Sequence, residues 1–535
     1  MTGPGYRDLR QHVDALRSAG LLVEIDHPID KDSELHPLVR LQYRGSVPES
    51  RRRAFLFTNV VDAVGRRYDN SVLVAGLAGT PDIYAVGVGC SLDEIGARWD
   101  RAFAQPVAPV LVDDGPVHEV VVEGAALAVE GGGFGSIPIP ISTPGFDNAP
   151  YLTSAHMVTK DPDTGIRNVG HYRGQIKSPT TCGVFFTGAF KHGYRHWDRA
   201  RELGQDLPCA FIVGAPPVVS YAAVQQVPFG VDEYDVAGGL AGHPIELVKC
   251  RTVDIEVPAD AEIVLEGHIS TEYLEPEGPF GESHGFVQTR TMSMVFHLSA
   301  ITHRRDYMWT SFISQVTPSE SSVIKKVGYE PLLESHLRRA LGIADVTKVA
   351  MHEPLTNLRK VIFVQFRRGA RQTEVWRALK AITAFNSEMG KIVVAVDHDI
   401  DVTSLDAVWW AIAYRSRPHV DVQIMRGHSK GHGPPFTDDP ALLEDSNMLI
   451  NATLKYELPP VSLPAREHME RARDLWDQLA AQHGLPALEL QQPWHGYVIT
   501  PEQWSAEYAD EALLAVQGRH YETGAKLAGS RRRVR

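Results

Sequence analysis

The stretch Asp161–Arg173, D-P-D-T-G-I-R-N-V-G-H-Y-R, decides how the middle of this chain is read. Asp161-Pro162-Asp163-Thr164-Gly165 has the residues of a tight turn, and the apolar, strand-like runs Leu152–Thr159 and Ile166–Ile176 flank it. The spacing predicts a β-hairpin. Period two on its second strand sets His171 and Arg173 on one face with Val169, and Asn168 with Tyr172 on the other. Further strands are predicted at Ala210–Val213, Ile245–Cys250, Ile255–Val257, Glu262–His268 and Met292–Thr302, with helices at His192–Leu203 and Asp232–Leu240. Together they make a mixed β domain, read as a barrel.

On the N-terminal side, Leu9, Val13 and Leu16 recur at helical spacing, Leu21–Ile25 reads as a strand and Glu34–Leu41 as a helix. Strands at Ala54–Phe57, Ser71–Val74 and Pro109–Val112, with a helix at Leu92–Phe103, continue this α/β opening. Gly131, Gly132, Gly133 and Gly135, followed by Pro138, Pro140 and Pro144, mark a crossing loop within Glu130–Ala149. After Pro318 the pattern alternates: helix Tyr329–Leu341, strand Lys360–Arg367, helix Gln372–Phe385, strand Lys391–Val396, helix Leu405–Tyr414, strand Asp421–Met425. Such alternation predicts βαβ units. Gly427–Pro435 reads as an open loop and Ala465–Ala481 as a long amphipathic helix. The predicted domains are 1–130, 131–318, 319–450 and a helical extension and tail at 451–535.

At 535 residues the chain exceeds what one core serves. Hydrophobic residues make up 43% and charged residues 22%, and no apolar run is long enough to span a bilayer, so a soluble multidomain protein is expected. Four scattered cysteines and a start without a signal-peptide core point to the cytoplasm. A net charge of −13 argues against a general nucleic-acid binder, and the basic run Arg531–Arg535 reads as a solvated tail.

The second decisive stretch is Glu272–Gly285, E-Y-L-E-P-E-G-P-F-G-E-S-H-G. Glu277 and Glu282, five apart, point to opposite faces of a strand and lie ~140° apart on a helix, so only a turn brings them together. Gly278, Pro279 and Gly281 supply that turn. Two carboxyls held close in a dry pocket favour one neutral proton donor. Gly427-His428-Ser429-Lys430-Gly431 fits a hydrolase elbow in letters, yet Gly433, Pro434 and Pro435 follow where a helix is required, so it reads as a chance match. No dinucleotide, Walker or zincin motif occurs.

With I-E-L-V-K-C, E-I-V-L-E-G, P-E-G-P-F-G-E and D-H-D-I-D-V added to the hairpin sequence, the chain resembles the UbiD-like decarboxylases, which depend on prenylated FMN, from about Asp8 to about Leu475. The resemblance implies an α+β multidomain fold: a central split β-barrel that binds flavin, flanked by an α/β N-terminal region and an α/β C-terminal domain that dimerises. It implies Arg173, Glu277 and Glu282 as catalytic residues. Asn168, His192 and Glu233 would ligate Mn²⁺ or Mg²⁺, with K⁺ a further cation. Cofactor contacts would fall on Asn168, Val169, His171, Tyr172, Arg173, Gln225 and Glu233. Oxygen donors and an imidazole suit such a divalent ion, and Arg173 would offer a planar fork to a substrate carboxylate. Glu282 is expected to be the acid, with Glu277 ionised and paired to Arg173.

The implied reaction is reversible, non-oxidative decarboxylation of an aromatic or heteroaromatic acid. An acyclic α,β-unsaturated acid is the alternative within the class; a two-carboxylate glycosidase and a non-catalytic flavin scaffold are alternatives outside it. A flavin prenyltransferase would supply the cofactor, and the expected assembly is a homodimer or a higher homo-oligomer. Three departures from the family pattern stand out: Phe146-Asp147-Asn148-Ala149-Pro150 in a cofactor-side loop, Asn451 where Asp is frequent, and His171 on the face of Arg173.

Overall fold

The structure, a computed structural model, describes residues 5–186, 188, 191–225, 227–357, 359–386, 388–429, 433–434, 439, 442 and 444–533. Lys430, Gly431 and Pro435 of the elbow-like stretch, and Val534 and Arg535 of the tail, lie outside the described residues.

Helix Leu9–Ser18 starts where the Asp8 carboxylate accepts the Gln11 N–H at 2.8 Å, and it buries Leu9, Val13 and Leu16 as their spacing requires. It packs beside a sheet of Leu22–Ile25, Ala54–Phe57, Ser71–Val74 and Met308–Ser311. The last strand returns from far along the chain to pair in parallel with Ser71–Val74. Val120–Glu123 crosses the other way and pairs with Ala300–His303. N-terminal and central segments therefore interlock.

The largest sheet has ten strands. Its path runs Arg167–His171, His156–Lys160, Leu207–Val213, Ile263–Ile269, Thr291–His303, Thr181–Val184, Gly174–Ser178, Tyr151–Leu152, and Glu275–Glu277 and Val120–Glu123 also pair onto Thr291–His303. The path is open, and no closed barrel forms among the described residues. Inward side chains such as Phe211, Leu265 and Phe296 fill one core with Trp309 and Ile313.

The hairpin forms, with His156–Lys160 antiparallel to Arg167–His171, but neither arm is the continuous strand its composition predicts. Both arms break at one level, and Tyr151–Leu152 then pairs with Gly174–Gln175. Gly170 and Gly174 bracket the break at Tyr172–Arg173. A Cβ on Gly170 would lie 2.4 Å from the Tyr172 ring, so the corner closes only on glycine. The period-two division of faces consequently fails beyond His171.

The C-terminal sheet has the order Val346–Met351, Val361–Phe366, Ile392–Asp397, Glu444–Asn451, Val422–Ser429. Its first and fourth strands are absent from the sequence reading, and the last continues to Ser429 where an open loop is expected. Helix Glu320–Ser335 begins earlier than predicted because Ser319 and Ser322 cap it reciprocally. D-H-D-I-D-V proves structural: Asp397 and Asp399 hold the buried Arg415 at 3.2 and 2.6 Å. Asn451 is buried too, donating to Gln372 and accepting from Thr453, each at 2.7 Å. Among the described residues no helix is long and apolar enough to cross a membrane.

Candidate active site

Glu277 ends the strand Glu275–Glu277, and Gly278 turns the chain at φ +100°, a backbone state open to glycine. Phe280–Gly281 then pairs with Val287–Gln288, leaving Glu282 on the far side of the turn. The departure at Phe146–Pro150 braces this turn from outside. The Asp147 carboxylate accepts the N–H of Thr143 at 2.6 Å and of Gly281 at 2.8 Å. Asn148 donates to the Gly278 carbonyl at 2.9 Å and accepts from Gln175 at 2.7 Å, while Gln175 in turn accepts the Gly278 N–H. Burial pushes the Asp147 carboxyl up to about 6, against the pull of those two N–H groups.

Arg173, at the hairpin corner, joins the two carboxylates. Its Nε and Nη2 each donate to Glu277 at 2.9 Å, and its Nη1 donates to Glu282 and, at 3.4 Å, to Gln288. Phe185 and Phe280 lie 4.2 and 5.1 Å from the guanidinium. Burial alone would lower the Arg173 pKa, but Glu282 and Glu277 outweigh it and raise it. Glu277 is fully buried, whereas the Glu282 side chain is 13% exposed and lines the cavity. The expected pairing of Glu277 with Arg173 is present. The expected fork towards a substrate is not, because Glu277 occupies that edge of the guanidinium.

The cavity measures about 740 Å³ and is walled by the hairpin corner, the acidic turn, helix Glu320–Ser335 and the C-terminal domain. Asn168, Val169, His171, Tyr172, Arg173, His192, Gln225, Glu233 and Glu282 all line it, whereas Glu277 stands behind Arg173. Both predicted faces of the hairpin strand thus reach one space, a consequence of the corner. His171 sits between His156 and Phe312, ring centres 5.4 and 5.3 Å away, and burial lowers it to about 4. The Tyr172 hydroxyl accepts the Gly193 N–H at 3.3 Å and ties the corner to helix His192–Glu202.

Of the two nearby histidines, His196 is pinned to Thr159 at 2.8 Å and buried, while His192 faces the cavity. Burial, with Arg195 and Lys191, lowers the His192 pKa, which favours the neutral ring a metal requires. Asp232 is the cap of helix Glu233–Ala241, accepting from Tyr234 N–H. Glu233 reaches across instead and accepts the Val169 N–H at 2.7 Å; burial pushes it up to about 8. The Asn168 side chain is buried and lines the same cavity, and its amide oxygen is a hard donor. An amide, an imidazole and a dry carboxylate facing one cavity fit a hard divalent cation.

Sequence reasoning misses the C-terminal wall. Lys325, Arg359, Lys360 and Glu388 line the cavity and belong to no motif. With Arg173 and Lys191, five cations face three carboxylates, Glu233, Glu282 and Glu388, among the described residues of the wall. That balance opposes the −13 of the whole chain.

Comparison with known proteins gives the family. Residues 13–103, 110–316 and 322–452 match the N-terminal, Rift-related and C-terminal domains described as 3-octaprenyl-4-hydroxybenzoate carboxy-lyase. The chain belongs to the UbiD family. It is therefore a carboxy-lyase by family. The UbiD-class enzyme HmfF from Pelotomaculum thermopropionicum, in an evolved dimeric form in complex with prFMN, is 28% identical; the match covers 88% of this chain and 100% of that one, with TM-score 0.75. An uncharacterized protein of Aquifex aeolicus is 28% identical over 512 residues, 90% of this chain and 100% of its own. The open form of Sedimentibacter hydroxybenzoicus vanillic acid decarboxylase shares the fold at 23% identity and TM-score 0.73, over 88% of this chain and 100% of that one.

Proposed function

We propose that this UbiD family member decarboxylates an aromatic or heteroaromatic acid, reversibly and without oxidation, using prenylated FMN and a divalent cation. One observation carries the reading: Arg173 clamps two carboxylates, and only Glu282 is turned into the cavity. A glycosidase needs its substrate between the two carboxyls, a space that the guanidinium fills here. Phe185, Phe280, Phe312 and Tyr329 give the cavity flat, apolar walls that suit planar rings. We read the bent open sheet as the split barrel of the family, and the assembly as a homodimer.

Asn168, His192 and Glu233 would hold Mn²⁺ or Mg²⁺ against the cofactor phosphate, and Val169, Tyr172 and Gln225 would meet the flavin. When bound, the modified flavin would supply an electron sink for the pair left on the substrate carbon as CO₂ departs. The chain's own residues do the rest. Glu277 fixes the guanidinium, and the guanidinium fixes Glu282 on the carbon that loses its carboxylate. As that C–C bond breaks, CO₂ leaves and Glu282 delivers a proton to the same carbon; solvent restores the proton. In the carboxylation direction Glu282 takes the proton instead. Phe185 and Phe280 beside Arg173 give the site an apolar side, which favours release of a neutral molecule.

The reading includes a separate flavin prenyltransferase, since no motif of the sequence is one that would prenylate a flavin. Protein co-produced with such an enzyme should release CO₂ from aromatic acids, and protein loaded with plain FMN should not. Equal turnover with plain FMN refutes the cofactor assignment, and no CO₂ from any acid refutes the function.

A further inference from the structure

We propose that Asp147 is a positioning residue for the proton transfer: its ionised carboxylate fixes the backbone beneath Glu282 and so sets where the acid delivers its proton. This inference rests on the decarboxylase reading, with Glu282 as its acid, and extends it to a residue outside the cavity wall.

Glu282 leaves the turn on a ladder of two residues. Phe280–Gly281 pairs with Val287–Gln288 on one edge, and the Glu282 N–H donates to the Phe286 carbonyl at 3.0 Å. So short a ribbon has little hold of its own. Asp147 closes its other edge in place of a further strand. One carboxylate oxygen accepts the Gly281 N–H at 2.8 Å, and the other accepts the Thr143 N–H at 2.6 Å. A Cβ on Gly281 would lie 2.3 Å from the Thr143 hydroxyl, so loop and turn touch at the residue before Glu282. Arg40, on helix Leu35–Arg44, holds the loop from behind, donating to the Ser142 carbonyl at 2.8 Å and to the Ser314 carbonyl at 3.2 Å. Helix, loop and turn thus form one chain of contacts that ends one residue short of the acid.

Both N–H groups need an acceptor, and only an ionised carboxylate presents one at full strength on each oxygen. Protonation puts a hydrogen on one oxygen, and an amide puts an NH₂ there, so either sets a donor against an N–H and opens one arm of the bracket. The charge is kept against resistance, since burial pushes the carboxyl up to about 6. Three groups face it. Arg40 from its helix and Arg173 from the hairpin corner lower it, and the Tyr151 hydroxyl, itself raised first by burial, is raised further by the Asp147 charge. Glu282 meets Arg173 through Nη1 and must reach the substrate carbon from there, and a displacement of about 1 Å in such a group can cost ~10²-fold in the chemical step. Opening the bracket at Gly281 therefore acts on the acid itself.

Asp147→Asn in the full-length, flavin-loaded protein tests this. At about pH 7 its kcat for CO₂ release should fall roughly 10- to 100-fold, the effect of one charge-assisted hydrogen bond, with KM and flavin content unchanged. The parent should lose turnover as pH falls through about 6 and approach the variant, because a protonated Asp147 has the shape of asparagine; the variant should show no such limb. Arg40→Met, which removes a cation that lowers Asp147, should move the limb to higher pH. Parental kcat in Asp147→Asn, an acid limb that survives in it, or a limb unmoved by Arg40→Met overturns the proposal. So does a loss confined to KM or to flavin content, which would make Asp147 only a brace of the fold. If Asp147→Asn keeps the parental rate while Glu282→Gln is inactive, the positioning role falls and the acid stands; if Glu282→Gln turns over as the parent does, the acid reading falls and the proposal with it.

Discussion

Glu277→Gln and Glu282→Gln are the same chemical change five residues apart, and the structure predicts opposite consequences. Glu277 is fully buried, with both oxygens 2.9 Å from the guanidinium of Arg173. A glutamine there keeps one acceptor and turns an NH₂ towards N–H donors, losing a charge-assisted hydrogen bond of about 1.5–3 kcal/mol and leaving a buried cation with one carboxylate. About 3 kcal/mol of stability should be lost, near the lower end of the ~3–5 kcal/mol for breaking a buried pair. Glu282 reaches the cavity, where water can satisfy Nη1, so its replacement should cost about 1 kcal/mol or less. Turnover should instead fall by ~10² to 10⁴, as for a lost general acid. Urea midpoints at constant m, CO₂ release and exchange of the product C–H with D₂O measure the two effects. If Glu282→Gln destabilises as much as Glu277→Gln and leaves exchange at the parental rate, Glu282 is an anchor and not the acid.

If Glu233 is the metal ligand proposed above, Glu233→Ala should empty the site of flavin rather than merely slow turnover; full flavin absorbance in the variant would make Glu233 only the partner of Val169 N–H. Asp147→Asn should change the pH profile of stability. The Asp147 carboxyl titrates at about 6 when folded, above its usual value of 3.8, so the folded state holds the extra proton and stability falls as pH rises through that window. The parent should therefore lose about 3 kcal/mol relative to the variant between about pH 4 and about pH 6, and parallel denaturation curves would refute the assignment.

The parts of the fold legible in the sequence are those that local chemistry dictates. Asp8 before an i, i+4, i+7 stripe gives helix Leu9–Ser18, and Asp161–Gly165 gives the hairpin tip. Gly278 and Pro279 announce the turn that joins two carboxylates. What was hidden depends on contacts distant in sequence. The return of Met308–Ser311 to the N-terminal sheet is set by packing, and the polar residues opening helix Glu320–Ser335 read as loop until Ser319 and Ser322 are seen to cap each other. Arg173 and its carboxylates were legible because they lie on motifs. Lys325, Arg359 and Glu388 were not, because their proximity comes from docking the C-terminal domain against the hairpin corner.

The corner at Tyr172–Arg173 also sets where this sequence can change length. Along an ordinary strand an inserted residue exchanges the two faces for everything beyond it. Here the exchange would be absorbed at the tip, Asp161–Gly165, an exposed turn tied back mainly by the Asp161 carboxylate and by Arg199 to Asp163. Between Val169 and Arg173 there is no such slack. One added residue would carry the guanidinium away from Glu277, move the Tyr172 ring off Gly193 and set a side chain where Gly170 leaves 2.4 Å. Insertions and deletions among related chains should therefore gather at the hairpin tip and stay out of the five residues that end in Arg173.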